Sequence, residues 1–283
     1  MPERAELARG RFVLFISSGL LVMAVLSGKG QMLYLLKSYQ RPASASGRTM
    51  PEPSQLAQWL RKEPFMDLRF QEYHVVYDTP HYLWLPYFLA QEDSDEQAGQ
   101  MLVQGEGPLP ESWHTATCPL PARLEAQLVF AYPEPLHEVV HEFMPGVRCW
   151  HSAATWIFHL EQLHKDNVHA TKSLYADLQG AYLNLVLYWG KRIMLCNTYP
   201  CHGESDVLYF MLLALQTHRF RPEDADCYLS GFMLPGGRLE QLLQDYLHRL
   251  HWLAFDEGWQ FPTQMKVVPR HLYAKILGIS LCE

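Results

Sequence analysis

His137-Glu-Val-Val-His141 has the spacing of a zinc peptidase. On a helix, residues four apart share a face, so two imidazoles could hold one Zn²⁺ while Glu138 activates a bound water. A third ligand is also required. The extended form of the motif places a glycine three residues after the second histidine and another histidine three residues beyond that. Met144 and Val147 stand there instead. Glu161 could substitute, but no local pattern marks it. The segment is short, between Pro135 and Pro145, and with 14 histidines in the chain a chance match is easily made. His137 and His141 therefore read as exposed residues of a surface helix. The expectation is that zinc is not a cofactor, and a zinc hydrolase through HEVVH is the second alternative function.

The other reactive residues point to no nucleophile. No G-x-S-x-G elbow is present, and neither Gly28-Lys29 nor Gly190-Lys191 lies in a GxxxxGK[ST] loop. Both Gly-Lys pairs read as solvated hairpin tips. The six cysteines, at 118, 149, 196, 201, 227 and 282, include no CxxC pair. Cys196 and Cys201 have no assignable base, and a catalytic thiol needs one. Reduced, mostly buried thiols indicate a cytoplasmic protein.

The elements behind these residues repeat. Phe12 to Leu26 is an apolar run broken by Ser17-Ser18-Gly19, followed by Gly28-Lys29 and a second run from Met32 to Tyr39. Ser173 to Leu187 is broken by Gly180, followed by Gly190-Lys191 and a run from Ile193 to Tyr199. Each reads as a three-stranded meander, and a meander opening both halves predicts two related subdomains, 1–165 and 166–283. Arg4, Arg9 and Arg11 before Phe12 imitate a signal peptide. The central Ser-Ser-Gly and the shortness of the run favour a buried hairpin, with no membrane insertion. A hydrophobic share of 48% indicates a globular chain. Net charge −7 with no basic stripe argues against nucleic acid.

Between the meanders, strands are predicted at Tyr73–Tyr77, Tyr82–Leu85, Gln127–Ala131 and Val147–Trp150. Helices are predicted at Gln55–Arg61, Pro86–Met101, Leu136–Met144 and Ser152–Lys165. Gly105–Pro121 reads as an exposed connection. In the second half, Asp206–Thr217 is apolar enough to predict a helix buried on most sides. Helices follow at Leu239–Leu250 and Leu272–Leu277, with strands at Tyr228–Gly231 and Met265–Val268. Alternating strands and helices define an α/β class.

Cys196-Asn-Thr-Tyr, then Ser205-Asp-Val-Leu-Tyr-Phe-Met-Leu-Leu-Ala-Leu215, then Tyr228-Leu-Ser-Gly231, resemble a bacterial family, domain of unknown function 3822. The first meander, Pro133-Glu-Pro-Leu136 and His151-Ser152 are similar too. The resemblance implies the actin/sugar kinase/Hsp70-like ATPase fold group: two related actin-like (ribonuclease H-like) subdomains, each a mixed sheet opening with an antiparallel meander and flanked by helices. Active members of that group hold phosphates with two Asp-x-Gly hairpins and Mg²⁺ through the aspartates. The corresponding residues here are degenerate. Ser17 replaces the first aspartate before Gly19. Asp177 stands one residue too far from Gly180, a slip that predicts its side chain on the opposite face. Ser230-Gly231 is followed by Phe232, whose ring would crowd a base. Gly19, Asp177, Gly180 and Gly231 are thus candidates for a degenerate nucleotide cleft, and the same glycines also read as hairpin and turn residues.

The expectation is a non-catalytic scaffold that binds another protein, with no cofactor. The first alternative is a nucleotide-binding switch or ATPase using ATP with magnesium. Tyr82-Leu-Trp-Leu-Pro-Tyr-Phe88 concentrates interface-type residues, so Trp84 and Tyr87 are the candidate partner-binding residues.

Overall fold

From Phe12 to Ser17 every residue of β1 (Arg11–Ser17) is buried, and so is every residue of β2 (Leu20–Leu26). Such unbroken apolar runs belong to strands covered on both faces. The computed structural model describes residues 4–28, 32–40, 50–89, 95–164, 171–253, 259–261 and 269–282. A short helix, α1 (Arg4–Ala8), precedes β1. Arg11 pairs with Leu26 and Ile16 with Leu21, so the predicted hairpin is present. β3 (Leu33–Gln40) pairs antiparallel with β2 and completes the first meander. Lys29 and the Met265–Val268 strand predicted above lie outside the described residues.

The described residues form two compact units. One comprises those of 4–158 with 259–261 and 275–282; the other comprises those of 159–253 with 269–274. In the first, α2 (Pro53–Lys62) leads to β4 (Glu72–Asp78), which runs parallel to β1 with Ser17 beside Asp78. β4 is followed by an antiparallel sheet of β5 (Tyr82–Pro86), β6 (Trp113–Pro119) and β7 (Ala126–Pro133), in the order β5-β7-β6. α3 (Asp95–Glu106) packs Ala98 and Leu102 against Leu85, Val129 and Ala131 of this sheet. α4 (Glu134–Phe143) and β8 (Arg148–His151) follow, and α5 (Ser152–His164) begins directly after β8. The main sheet has the order β3-β2-β1-β4-β8.

In the second unit, β9 (Lys172–Gln179), β10 (Tyr182–Trp189) and β11 (Arg192–Pro200) form an antiparallel meander. After α6 (Glu204–Thr217), β12 (Ala225–Gly231) runs parallel to β9. α7 (Arg238–Gln244) precedes β13 (Leu250–Trp252), parallel to β12. The order β11-β10-β9-β12-β13 reproduces that of the first sheet strand for strand. One face of this sheet, with Leu174, Ala176, Leu183, Leu185, Leu187, Cys227 and Leu229, packs with Val207, Met211, Ala214 and Leu215 of α6. The last described helix is α8 (Ala274–Leu277), between 3₁₀ turns at Arg270–Tyr273 and Gly278–Leu281. Among the described residues no helix is long and apolar enough to cross a membrane.

Four sequence expectations are corrected. Pro86 ends β5 and pairs antiparallel with Ala126, so the helix predicted from Pro86 does not begin there; the described part of α3 runs from Asp95. The supposed connection Gly105–Pro121 contains β6, seven residues that pair along β7. Leu239–Leu250 is not one helix: α7 stops at Gln244 and Leu250 enters β13 beside Cys227. α6 is buried along one stripe only. Its Leu208, Phe210, Leu212 and Leu213 are half-buried, and Tyr209 is exposed.

Candidate functional site

In open α/β sheets, ligands sit beyond the carboxyl ends of parallel strands. In the first unit those ends are Ser17, Asp78 and His151-Ser152. Ser17 is buried, and its hydroxyl closes its own hairpin. The Oγ donates to the Leu20 carbonyl at 3.1 Å and accepts from the Leu20 amide at 3.0 Å. Gly19 lies in that turn, half-buried.

Asp78 is a carboxylate at the end of β4, and two groups of the chain use it. Lys275 of α8 donates from Nζ to Asp78 Oδ1 at 2.9 Å, and the Ser152 hydroxyl donates to the same oxygen. The side chains of Lys275 and Asp78 are 1% and 9% exposed. The Lys275 ammonium also lies 5.8 Å from the Trp156 ring centre. A buried ion pair of this kind keeps its charges only through mutual attraction and added hydrogen bonds. The ammonium is the cation that Asp78 meets at the end of β4.

His151 is fully buried beside this pair. The Ala153 amide donates to its Nδ1 at 3.1 Å, so Nδ1 is the acceptor and Nε2–H donates to the Thr79 carbonyl at 2.9 Å. The imidazole is thereby fixed neutral. Burial, reinforced by Lys275, pushes its pKa down to about 4, against the opposing pull of the Thr79 carbonyl and Asp78. Helix α5 starts here, and a helix N-terminus offers free amides to anions. One of those amides, that of Ala153, is already taken by His151.

In the second unit the β9–β10 hairpin turns at Gly180, whose φ is +59°. A glycine with positive φ at the first central position is the signature of a type II′ turn. The last paired residues are Gln179 and Tyr182, so Gln179, not Asp177, occupies the place that Ser17 holds in the first hairpin. The glycine is the first turn residue here and the second in the Ser18-Gly19 turn. Counting from the glycine therefore misassigns the phase. Asp177 lies two residues before Gln179, on the same face rather than the opposite one. It is buried, and its Oδ2 accepts from Ser230 Oγ at 2.7 Å. Its charge raises the proton affinity of His271, while burial, the larger effect, lowers it.

Gly231 has a φ of +82°, and a Cβ there would stand 2.3 Å from the Leu178 carbonyl oxygen. The Phe232 amide donates to that same oxygen at 2.7 Å. The absent side chain of Gly231 thus makes room for the neighbouring strand. Phe232 itself is half-buried.

His137 is half-buried, not exposed. Its Nδ1 is 3.0 Å from the Tyr77 hydroxyl, and its ring lies 4.9 Å from that of Tyr132 and 5.2 Å from that of His141. Burial lowers its pKa, helped by His141 and His114. Nearby Cys149 is pushed up to about 12 by burial, which makes it a poor thiolate. Glu138 and His141 are exposed. Among the described residues no group of three His, Cys, Asp or Glu side chains is placed to hold a metal ion.

Trp84 is half-buried in β5, with its indole nitrogen buried and unpaired among the described residues. Tyr87 is 45% exposed, and Phe88 and Leu89 beside it are exposed as well. Asp78 and Lys275 had no part in the expected site. The signals that could have found them are a carboxylate directly after the apolar strand Val75-Val-Tyr77, and a lone cation inside Leu272-Tyr-Ala-Lys-Ile-Leu-Gly-Ile279.

Two sheets of identical strand order, each opening with an antiparallel meander and flanked by helices, define an actin-like ATPase fold. The chain belongs to the family described as protein of unknown function DUF3822, which it matches over residues 6–250. It is similar to a protein of Bacteroides thetaiotaomicron with an actin-like ATPase fold and unknown function. The TM-score is 0.80 at 13% identity, with both chains covered completely. It is also similar to a chain of the PilM-PilN type IV pilus biogenesis complex, at TM-score 0.66 and 18% identity with 98% of each chain covered. The ethanolamine utilization protein EutJ of Carboxydothermus hydrogenoformans follows at 0.50 and 9%, with 100% of this chain and 91% of that one covered. No curated protein sequence matches the chain.

Proposed function

We propose that this protein is a non-catalytic, protein-binding scaffold of the cytoplasm whose nucleotide site is degenerate. The observation that carries the reading is the Asp78–Lys275–Ser152 cluster. The carboxylate at the strand ends of the first unit is neutralised by the chain's own ammonium, 2.9 Å away. Ser17 adds no charge there, and its hydroxyl is bound within its own turn. In the second hairpin the position nearest the turn is Gln179, also neutral. A magnesium–phosphate group needs carboxylates free to hold the metal or its water. Likeness to a chain from the PilM-PilN complex supports action through a protein partner, since that structure is itself an assembly.

The nucleotide-switch alternative draws on one observation: Asp177 shares a face with Gln179, so a carboxylate does lie behind the second hairpin. Its engagement with Ser230 weighs against that reading. A partner surface at the β5 corner is supported by the exposure of Tyr87 and Phe88. A tagged pull-down from the native host, with bound proteins identified, tests the scaffold reading. Tyr87→Ala, at the exposed corner, should reduce the captured partner while the melting curve stays unchanged. Capture of nothing beyond the tag control, together with nucleotide turnover by the purified protein, would overturn it.

A further inference from the structure

We infer that β11 and the flank of α6 beside it form an interface between two copies of this chain. β11 is the edge strand of the second sheet. It runs for nine residues, and among the described residues no strand pairs with its outer side. Edge strands are ordinarily shielded by shortness, by charge or by proline, because an open row of amides and carbonyls recruits another strand. The other edges of the two five-stranded sheets are shielded in that way. β13 has three residues, β8 has four, and β3 carries Lys37 within its length. From Ile193 to Tyr199 β11 carries no charge, its proline is the last residue, and its register shift falls near its start, beside Leu187/Tyr188.

The helix beside this strand makes the same case independently. Phe210 stacks on Tyr199 of β11 with ring centres 4.5 Å apart, which puts that side of α6 over the sheet edge. Phe210 and Leu213 on this side are only half-buried, and Tyr209 is 59% exposed. An apolar helix flank and an open strand edge side by side would be covered together by one kind of partner, a sheet edge that carries its own apolar helix. A second copy brings both.

Charge sets the direction. Lys191 and Arg192 lie at the start of β11. Glu204, paired with Arg238 in its own copy, and Asp206, which accepts the His202 amide, lie just beyond its end. Antiparallel pairing brings the basic start of each copy to the acidic end of the other, twice, as a two-fold axis requires. A parallel pairing would set like charges together. The result is a ten-stranded sheet, with Leu195 of one copy near Tyr199 of the other and the two α6 helices alongside.

Light scattering of the full chain across a concentration series, combined with amide exchange, tests this. The expected result is a mass that rises to two chains, with β11 amides exchanging at least about tenfold more slowly at high concentration than at low. Leu213→Lys should give the mass of one chain where the wild type gives two, with an unchanged circular dichroism spectrum. Should that variant misfold, Tyr209→Lys at the more exposed position serves the same purpose. Arg192→Glu should shift the transition to higher concentration. A single-chain mass at every concentration overturns the inference. So does a two-chain mass in which β11 amides are unprotected, or one that the folded α6 variant leaves intact. Protection of β11 only when another protein is added would identify a foreign strand as the occupant and would also overturn it.

Discussion

Replacing Lys275 by methionine should cost the protein more than any surface substitution. The change keeps most of the stem and removes the charge. Among the described residues, Asp78 would then keep the Ser152 hydroxyl as its hydrogen-bond donor at 9% exposure. Breaking one side of a buried ion pair costs about 3–5 kcal/mol, because the abandoned charge is neither solvated nor paired. The remaining Ser152 hydrogen bond and the slight exposure of Asp78 place the loss toward the lower end, about 3 kcal/mol. Removing both charges in Lys275→Met/Asp78→Asn should restore most of it, to within about 1–2 kcal/mol of wild type, since no lone charge is then buried. The two single substitutions and the pair form a cycle, and strong non-additivity is the signature. The assay is urea denaturation of the full chain followed by circular dichroism. Amide exchange in β4 and α5 would locate the loss in the first unit. If Lys275→Met falls within about 0.5 kcal/mol of wild type, in the range of ordinary surface changes, the cluster does not close the strand ends as described.

Three further outcomes are expected. His151 is held neutral, with its folded pKa pushed from 6.5 down to about 4. The unfolded chain therefore takes up the proton first as pH falls. This contribution is complete above about pH 6.5 and is lost between there and pH 4, at up to about 1.4 kcal/mol per pH unit and about 3 kcal/mol in all. Denaturation midpoints of His151→Gln should lack this part of the acid sensitivity, and an unchanged pH profile would refute the assignment. Gly231→Ala should destabilise by about 2 kcal/mol or more, since a Cβ would stand 2.3 Å from the Leu178 oxygen at a left-handed φ. Unchanged thermal stability would mean that the glycine serves something other than the fold. Metal analysis after purification without chelator should find far less than one equivalent of zinc, and a full equivalent that disappears in His141→Ala would revive the zinc-hydrolase alternative.

The doubled meander was legible because a strand buried on both faces leaves an uninterrupted apolar run, and glycine marks where it turns. Phe12–Leu26 shows this directly, and Ser173–Leu187 repeats the turn at Gly180 although its buried strands carry Asp177, Gln179 and Asn184. β6 was not legible. Trp113-His-Thr-Ala-Thr-Cys-Pro119 is mostly half-exposed and sits among prolines and glycines, so pairing with β7, not local pattern, makes it a strand. β13 was hidden because leucines at 239, 242, 243, 247 and 250 keep helical spacing past the point where the helix stops. α6 reads as buried from composition alone, and periodicity cannot reveal that one of its apolar sides faces outward. Of the site, the loss of an aspartate at Ser17 was visible directly. The phase of Asp177 was misjudged because the two hairpins place their glycines at different turn positions. Asp78 and Lys275 are 197 residues apart, a pairing that no local pattern carries.

Titration calorimetry of the purified protein with ATP and Mg²⁺ addresses the central claim most directly. The account predicts weak binding or none, and no phosphate release on incubation, because Ser17 and Gln179 are neutral and Asp78 is held by Lys275. Submicromolar binding that Gly180→Val abolishes would contradict it and make the protein a nucleotide-dependent switch.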